Sequence, residues 1–118
     1  LARALRLLRE EGILIIGTGN IVHNLGRMNW ARQDCPPHDW AARFEDRIVQ
    51  AVMAGDVQQV IEYEQLGDAA LLSVPTPDHD WPLLYTVGVA RDTDRVVCAP
   101  SHIEHGSLSM TSIAWWPE

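Results

Sequence analysis

The chain has 118 residues, 47% of them hydrophobic, which suits a single globular domain with a modest core and argues against disorder. Its net charge is −7 and its basic residues are all arginine, with no lysine; that balance disfavours a nucleic-acid footprint, which needs clustered positive charge. No apolar run approaches the roughly 20 residues that cross a bilayer, so no membrane partner is expected.

Leu1, Leu5 and Leu8, with Ala4, recur at helical spacing, while Arg3, Arg6, Arg9 and Glu10 take the other face. This opening segment is charged and amphipathic, unlike a signal peptide. Gly12 ends the helix, and the run ILII at residues 13–16 reads as a short strand, apolar on both faces, of the kind found in a parallel sheet covered by helices. Helix and strand together suggest an αβ unit of an α/β fold, entered part-way through. The strand ends in GTGNIVHNLG, where two glycines permit a tight turn and close backbone approach and a histidine follows.

Residues 26–39 read as a loop, since Pro36-Pro37 excludes helix. Asp39 can cap a helix in which Trp40, Phe44, Ile48 and Val52 recur every four residues, and Gly55 stops it. Asp56 and Gln59 form a capping-box variant ahead of Val57, Val60 and Ile61, in a helix expected to end near Gly67. In VPTPDHDWPLLYTVGVA, Thr76 suits an N-cap, Pro77 the first helical position and Asp78 the positive end of the dipole. Trp81, Leu84, Tyr85, Gly88 and Val89 continue one face of that helix, which places His79 in its first turn. Arg95–Cys98 and residues 107–116 (SLSMTSIAWW) read as strands; in the second the alternation slips phase before Ile113, as at a bulge or in a strand buried on both faces. Cys35 and Cys98 lack CxxC spacing and are expected to be reduced thiols of a cytoplasmic protein.

The histidines carry the chemistry. His23 follows a glycine turn at the end of an apolar run, where open α/β sheets bind ligands, although a hydrogen-bonded core histidine would have the same setting. His79, at a helix N-terminus, should stay neutral because the dipole disfavours imidazolium, and a neutral ring is what a divalent metal needs; a solvent-facing turn residue is the plain alternative. His102 and His105, in SHIEHGS, rank below these two, and His38 reads as an exposed loop residue. Two histidines do not close a catalytic metal site, which usually takes three protein ligands. Either His102 or Glu104 contributes, or the rest of the site lies outside these residues. GTGN lacks the GxGxxG spacing of a dinucleotide fingerprint, and GxSxG is absent. Trp30, Trp81 and Tyr85 are candidate pocket walls, with core packing the expected role.

In this order, GILIIGTGNIVHNLG, VPTPDHDWPLLYTVGVA and HGSLSMTSIAW resemble the C-terminal half of the class III extradiol ring-cleavage dioxygenases, in the 4,5-DOPA dioxygenase-like branch. The resemblance runs through nearly the whole chain and is least diagnostic in residues 27–72. It implies an α/β fold: the C-terminal half of a mixed or parallel sheet flanked by helices. It also implies a mononuclear non-haem metal enzyme that inserts both atoms of O₂ into a catechol-type, DOPA-like ring. Fe(II) would be the working metal, and zinc is often found bound in this branch. His23 matches the histidine of GN-x-VHNL, a metal-site residue that is either a ligand or the acid/base taking the catechol proton. His79 matches the histidine of PTPxH, which belongs to the metal set. His105 is not carried over, and the substrate-binding residues stay open.

Family members have an N-terminal half that supplies further metal-site histidines, and no motif here matches it. The expectation is therefore a single unit, residues 1–118, that is a C-terminal fragment, binding metal weakly and inactive alone. An unpartnered sheet edge would favour association with itself or with the N-terminal half. The alternative is a non-catalytic metal-binding or assembly module that keeps the fold. A zinc hydrolase would need an activating carboxylate, and no HExxH is present.

Overall fold

Helix α2 (Asp39–Met53) is the element against which most of the chain packs. It buries Ala41, Phe44, Glu45, Ile48, Ala51 and Val52, the stripe that its four-residue recurrence requires. The computed structural model describes residues 1–118. His38 occupies the N-cap position of α2, so Asp39 stands in the first turn and acts on the dipole instead of capping it. Gly55, at φ +71°, ends the helix run, and the Asp56 carboxylate accepts from the Gln59 N–H at 3.1 Å to start α3 (Val57–Ile61), as the capping pattern requires. A 3₁₀ turn (Tyr63–Leu66), Gly67 and a further helix α4 (Asp68–Ser73) follow. That last helix has no sequence signal beyond DAALLS; packing of Ala70 and Ser73 makes it.

The helix expected from Pro77 is divided. A 3₁₀ turn (Pro77–His79) precedes α5 (Trp81–Val89), with Asp80 between them, and Thr76 caps neither through its side chain. A second proline, Pro82, brings no N–H, so the α-helix starts where its ring fits the first turn.

All strand pairing is antiparallel. β1 (Arg95–Cys98) pairs with β4 (Ile113–Trp116), Arg95 opposite Trp116 and Cys98 opposite Ile113. β2 (Ile103–Glu104) and β3 (Leu108–Ser109) form a short hairpin across His105 and Gly106, both at positive φ. The α/β class therefore holds, but the parallel or mixed sheet does not. Residues 13–16 form no strand and pair with none. The second expected strand is broken between Ser109 and Ile113: the phase slip marks a change of partner, from β2 to β1.

The N-terminal segment half-buries Leu5 and Leu8 and exposes Arg3 and Glu10, as expected, but it half-buries Arg6 and Arg9 as well. Its 3₁₀ turn (Ala2–Leu5) and α1 (Arg6–Glu10) bury no residue, and Leu1 and Leu7 are exposed. Arginines do the docking. Arg6 Nε donates to the Gly88 carbonyl at 3.0 Å and Arg9 Nη1 to that of Val89 at 3.2 Å, cations at the negative end of α5. Arg9 also forks onto Asp94 at 2.6 and 2.9 Å, where the carboxylate is 1% exposed and accepts from the Arg91 N–H as well. These bonds, Arg9 foremost, hold the Asp94 carboxyl below its ordinary range.

Only 18 of the 118 residues are buried. The radius of gyration, 14.5 Å, exceeds the value of about 13.5 Å for a close-packed domain of this length. The core is thin, and the N-terminal segment adds no buried residue to it. No helix is long and apolar enough to cross a membrane.

Arg9→Ala strands Asp94 in a buried site without its cation. The expected cost is about 2–3 kcal/mol, measured by urea denaturation at pH 7. Because the Asp94 carboxyl is held below its unfolded value, this contribution is full above the ordinary carboxylate range and is lost as pH falls below that range through the lowered folded value. The gap between the variant and the parent should therefore narrow as pH falls below the ordinary carboxylate range.

Candidate functional site

Residues 20–24, NIVHN, are held from both sides. On one side the Asn20 N–H donates to the His79 carbonyl at 2.9 Å, the His23 N–H to Ser73 at 2.9 Å, and Asn24 Nδ2 to Leu72 at 2.8 Å. On the other, the Ser109 N–H donates to Val22 at 2.9 Å, the Asn24 N–H to Ser107 at 3.1 Å, and Asn20 Nδ2 to the Ser109 carbonyl at 2.6 Å. His23 lies opposite Leu108 in an isolated antiparallel bridge. Ile21 and Val22 enter the core at 5% and 0% exposure, which anchors the segment.

This arrangement places the imidazole of His23 against that of His79. The two rings stack with centroids 3.6 Å apart and planes 16° from parallel, and both are half-buried. His79 Nε2 lies 3.2 Å from the Asp78 carboxylate. Burial, then the neighbouring His79, lowers the pKa of His23 below the usual histidine value.

The glycines act by close approach. Neither Gly17 nor Gly19 has positive φ. A Cβ on Gly17 would lie 2.7 Å from the Pro82 carbonyl oxygen, and one on Gly19 would collide with the carbonyl oxygen of His79. The bare backbone lets the segment leading to His23 rest on the turn that carries His79.

Two buried carboxylates lie close by, of which Glu45 has no counterpart in the sequence reading. Glu45 accepts from the hydroxyls of Ser109 and Thr111, so it ties α2 to the strand that holds Val22. Its signal was a charged residue on the apolar face, at helical spacing between Ala41 and Ile48. Asp80, 2% exposed, follows His79 directly, and its Oδ2 has no hydrogen-bond partner. Burial pushes its pKa up to about 6.

The remaining histidines lie elsewhere. His102 Nε2 meets Glu104 at 3.2 Å, and Gln33 donates to the other oxygen of that carboxylate at 2.9 Å. His105 Nδ1 contacts the Asn29 carbonyl at 2.9 Å, and His38 bonds to the Arg27 carbonyl at 2.8 Å while stacking on Trp40. No group of three or more His, Cys, Asp or Glu is arranged to hold a metal ion, so His102 and Glu104 do not complete a set with the pair. Of the expected core aromatics, Trp30, Trp81 and Tyr85 are 70%, 53% and 42% exposed and none is in the core. A groove of about 930 Å³ runs along residues 12–21 and 111–117 and reaches His79.

No protein-family model matches the chain. It is similar to the 4,5-DOPA dioxygenase extradiol of Escherichia coli K12, at 36% identity over 96% of the chain and 42% of that protein. The proteins of the same name from Beta vulgaris and Portulaca grandiflora match at 30% and 29%, over 95% and 93% of the chain. The chain thus spans about two fifths of these relatives, 40–42% of each. Its fold is that of part of an uncharacterised Escherichia coli K12 protein known from a crystal structure, with a TM-score of 0.85 and 33% identity over 95% of the chain and 46% of that protein.

Two outcomes test this geometry. Gly19→Ala should cost about 1–3 kcal/mol by overpacking and separate the stacked rings, read as a shift of both imidazole resonances in NMR. Asp80 has a raised pKa, so its stabilising effect is full below the unfolded carboxylate value and is lost as pH climbs through about 6. Asp80→Asn should therefore stabilise the chain by up to about 3 kcal/mol at pH 7.5 and far less at pH 4, measured by urea midpoints.

Proposed function

We propose that this chain is the C-terminal part of a class III extradiol dioxygenase that opens a catechol-type, DOPA-like ring with O₂, using Fe(II), with zinc an alternative occupant. The observation that carries the reading is the stacked pair of His23 and His79, in a chain similar over 96% of its length to a 4,5-DOPA dioxygenase extradiol.

The donor set fits a metal in part. Two imidazoles stand together, and the lowered pKa of His23 keeps its ring uncharged at neutral pH, which suits either a ligand or a base. Their stacking divides the work. A metal–nitrogen bond of about 2.0–2.1 Å lies in the ring plane, and near-parallel planes with centroids 3.6 Å apart do not aim two lone pairs at one ion. His79 is the better ligand. The Asp78 carboxylate at Nε2 orients its ring, as outer partners of metal-bound histidines do. His23, held by backbone bonds on both sides, is placed to accept the catechol proton. When bound, Fe(II) supplies a path for electron density between catecholate and O₂. The further donors come from polypeptide beyond the two fifths of the relatives that this chain spans, and the isolated chain is expected to be inactive.

The test is a chimera in which this chain replaces the matched stretch of the Escherichia coli relative, loaded anaerobically with Fe(II) and given DOPA and O₂. Equimolar O₂ uptake and a yellow ring-opened product are expected. His79→Ala should abolish stoichiometric metal, whereas His23→Ala should keep metal and lose turnover by about 10²–10⁴-fold. Stoichiometric metal without any O₂ uptake would favour the non-catalytic module instead.

A further inference from the structure

Glu45 is a carboxyl group where the pattern of α2 calls for an apolar side chain. It stands on the buried face of that helix with Ala41, Phe44 and Ile48, and is 7% exposed. No arginine or histidine pairs with it, the ion pairs of the chain being made by other residues. Two hydroxyls reach it instead, those of Ser109 and Thr111, and both donate to Oε1. Withdrawing a carboxyl group from water is costly, and an apolar residue of similar volume in its place is often neutral or stabilising. Hydrophobic burial therefore does not account for Glu45. What it adds is direction, because a hydrogen bond fixes where its donor stands and an apolar contact does not.

The residue so directed is Ser109, 2% exposed, with all its polar groups engaged. Its N–H donates to the Val22 carbonyl at 2.9 Å, and its own carbonyl accepts from Asn20 Nδ2 at 2.6 Å. Its hydroxyl donates to Glu45 and accepts from the Thr111 N–H at 3.4 Å. Val22 directly precedes His23, and the Asn20 N–H donates to the His79 carbonyl at 2.9 Å. The backbone of Ser109 thus meets both the peptide that carries His23 and the residue that holds the turn of His79. Its side chain is tied to α2 by Glu45.

We propose that Glu45 is a positioning residue for the histidine pair. By holding the Ser109 hydroxyl it sets where residues 20–23 rest, and so how closely the His23 ring approaches that of His79. It bonds to neither imidazole and acts through Ser109, while Thr111, on the same oxygen, keeps the carboxyl group in place. As a contribution to catalysis, this rests on the reading that the pair serves ring cleavage.

The contact itself is the primary readout. With centroids 3.6 Å apart, the carbon-bound ring protons of His23 and His79 should cross-relax in the NMR spectrum of the 118-residue chain. Glu45→Leu and Ser109→Ala are each expected to lose those cross-peaks while the amides of α2 stay protected from exchange. Glu45→Gln keeps an acceptor oxygen and should keep the cross-peaks. Ser109→Ala retains the backbone bonds to Val22 and Asn20, so a loss there isolates the hydroxyl link; it decides the question alone if Glu45→Leu does not fold. Cross-peaks that survive in either of these variants, or that vanish in Glu45→Gln as well, overturn the inference. In the chimera with the Escherichia coli relative, Glu45→Leu should lower kcat about 10²-fold with KM little changed, and Glu45→Gln should restore it. An inactive parent chimera would sink the dioxygenase reading, and the cross-peaks would still decide the role of Glu45. An active chimera whose kcat is indifferent to Glu45→Leu would overturn the positioning role and leave the dioxygenase reading intact.

Discussion

The candidate site depends on one constraint: the backbone of residues 20–24 is bonded on both flanks at once. Ser73 and the turn bearing His79 take it on one side, and Ser107 and Ser109 on the other. A short polar segment next to a core would ordinarily leave its amides to water. Here each bond fixes a separate part of the chain relative to His23, and Ile21 and Val22 drive the segment inward. The stacked imidazoles are a consequence of that clamp. Neither ring makes a direct hydrogen bond to the other, so their approach is set by backbone, with glycine at positions 17 and 19 where a side chain would not fit.

Polar groups do much of the work that a larger core would do. Glu45 is withdrawn from water but receives two hydroxyls, so its lone pairs are served and α2 is joined to the end of β3. Arg9 and Asp94 hold the N-terminal segment, which has no buried residue of its own, onto the end of α5. Asp80, like the Ser73 hydroxyl, is an exception. One of its oxygens is buried with no partner, a cost that burial converts into a raised pKa. It adjoins His79, and strained or unsatisfied groups tend to collect where a structure is used.

A second theme is an open apolar groove. The chain buries few residues for its length and leaves Ile13, Leu14, Ile16 and Trp116 along one groove. Apolar side chains and unpaired backbone edges coincide there, and each alone would be unremarkable in a small domain. Their coincidence places the groove beside His79 and so next to the histidine pair.

What could be read from the residues alone was whatever depends on near neighbours. The stripe of Phe44, Ile48 and Val52, the Asp56 cap, the stops at Gly12 and Gly55, and strand β1 are all decided within a turn or two of chain, where periodicity and capping act. His23 and His79 could also be singled out, by the motifs around them. Their contact could not, because it is made by bonds from Ser73, Ser107 and Ser109, which nothing near position 23 encodes. The same limit explains the misreadings. An ILII run is a strand only if an edge is present to pair with it, and SLSMTSIAWW is one strand only if its partner does not change. Arg6 and Arg9 face inward because the carbonyl end of α5 is there to receive them. Hydrophobic pattern reports which side chains avoid water; which group meets which is settled by the tertiary arrangement, since hydrogen bonds and ring contacts depend on the positions of atoms far apart in the chain.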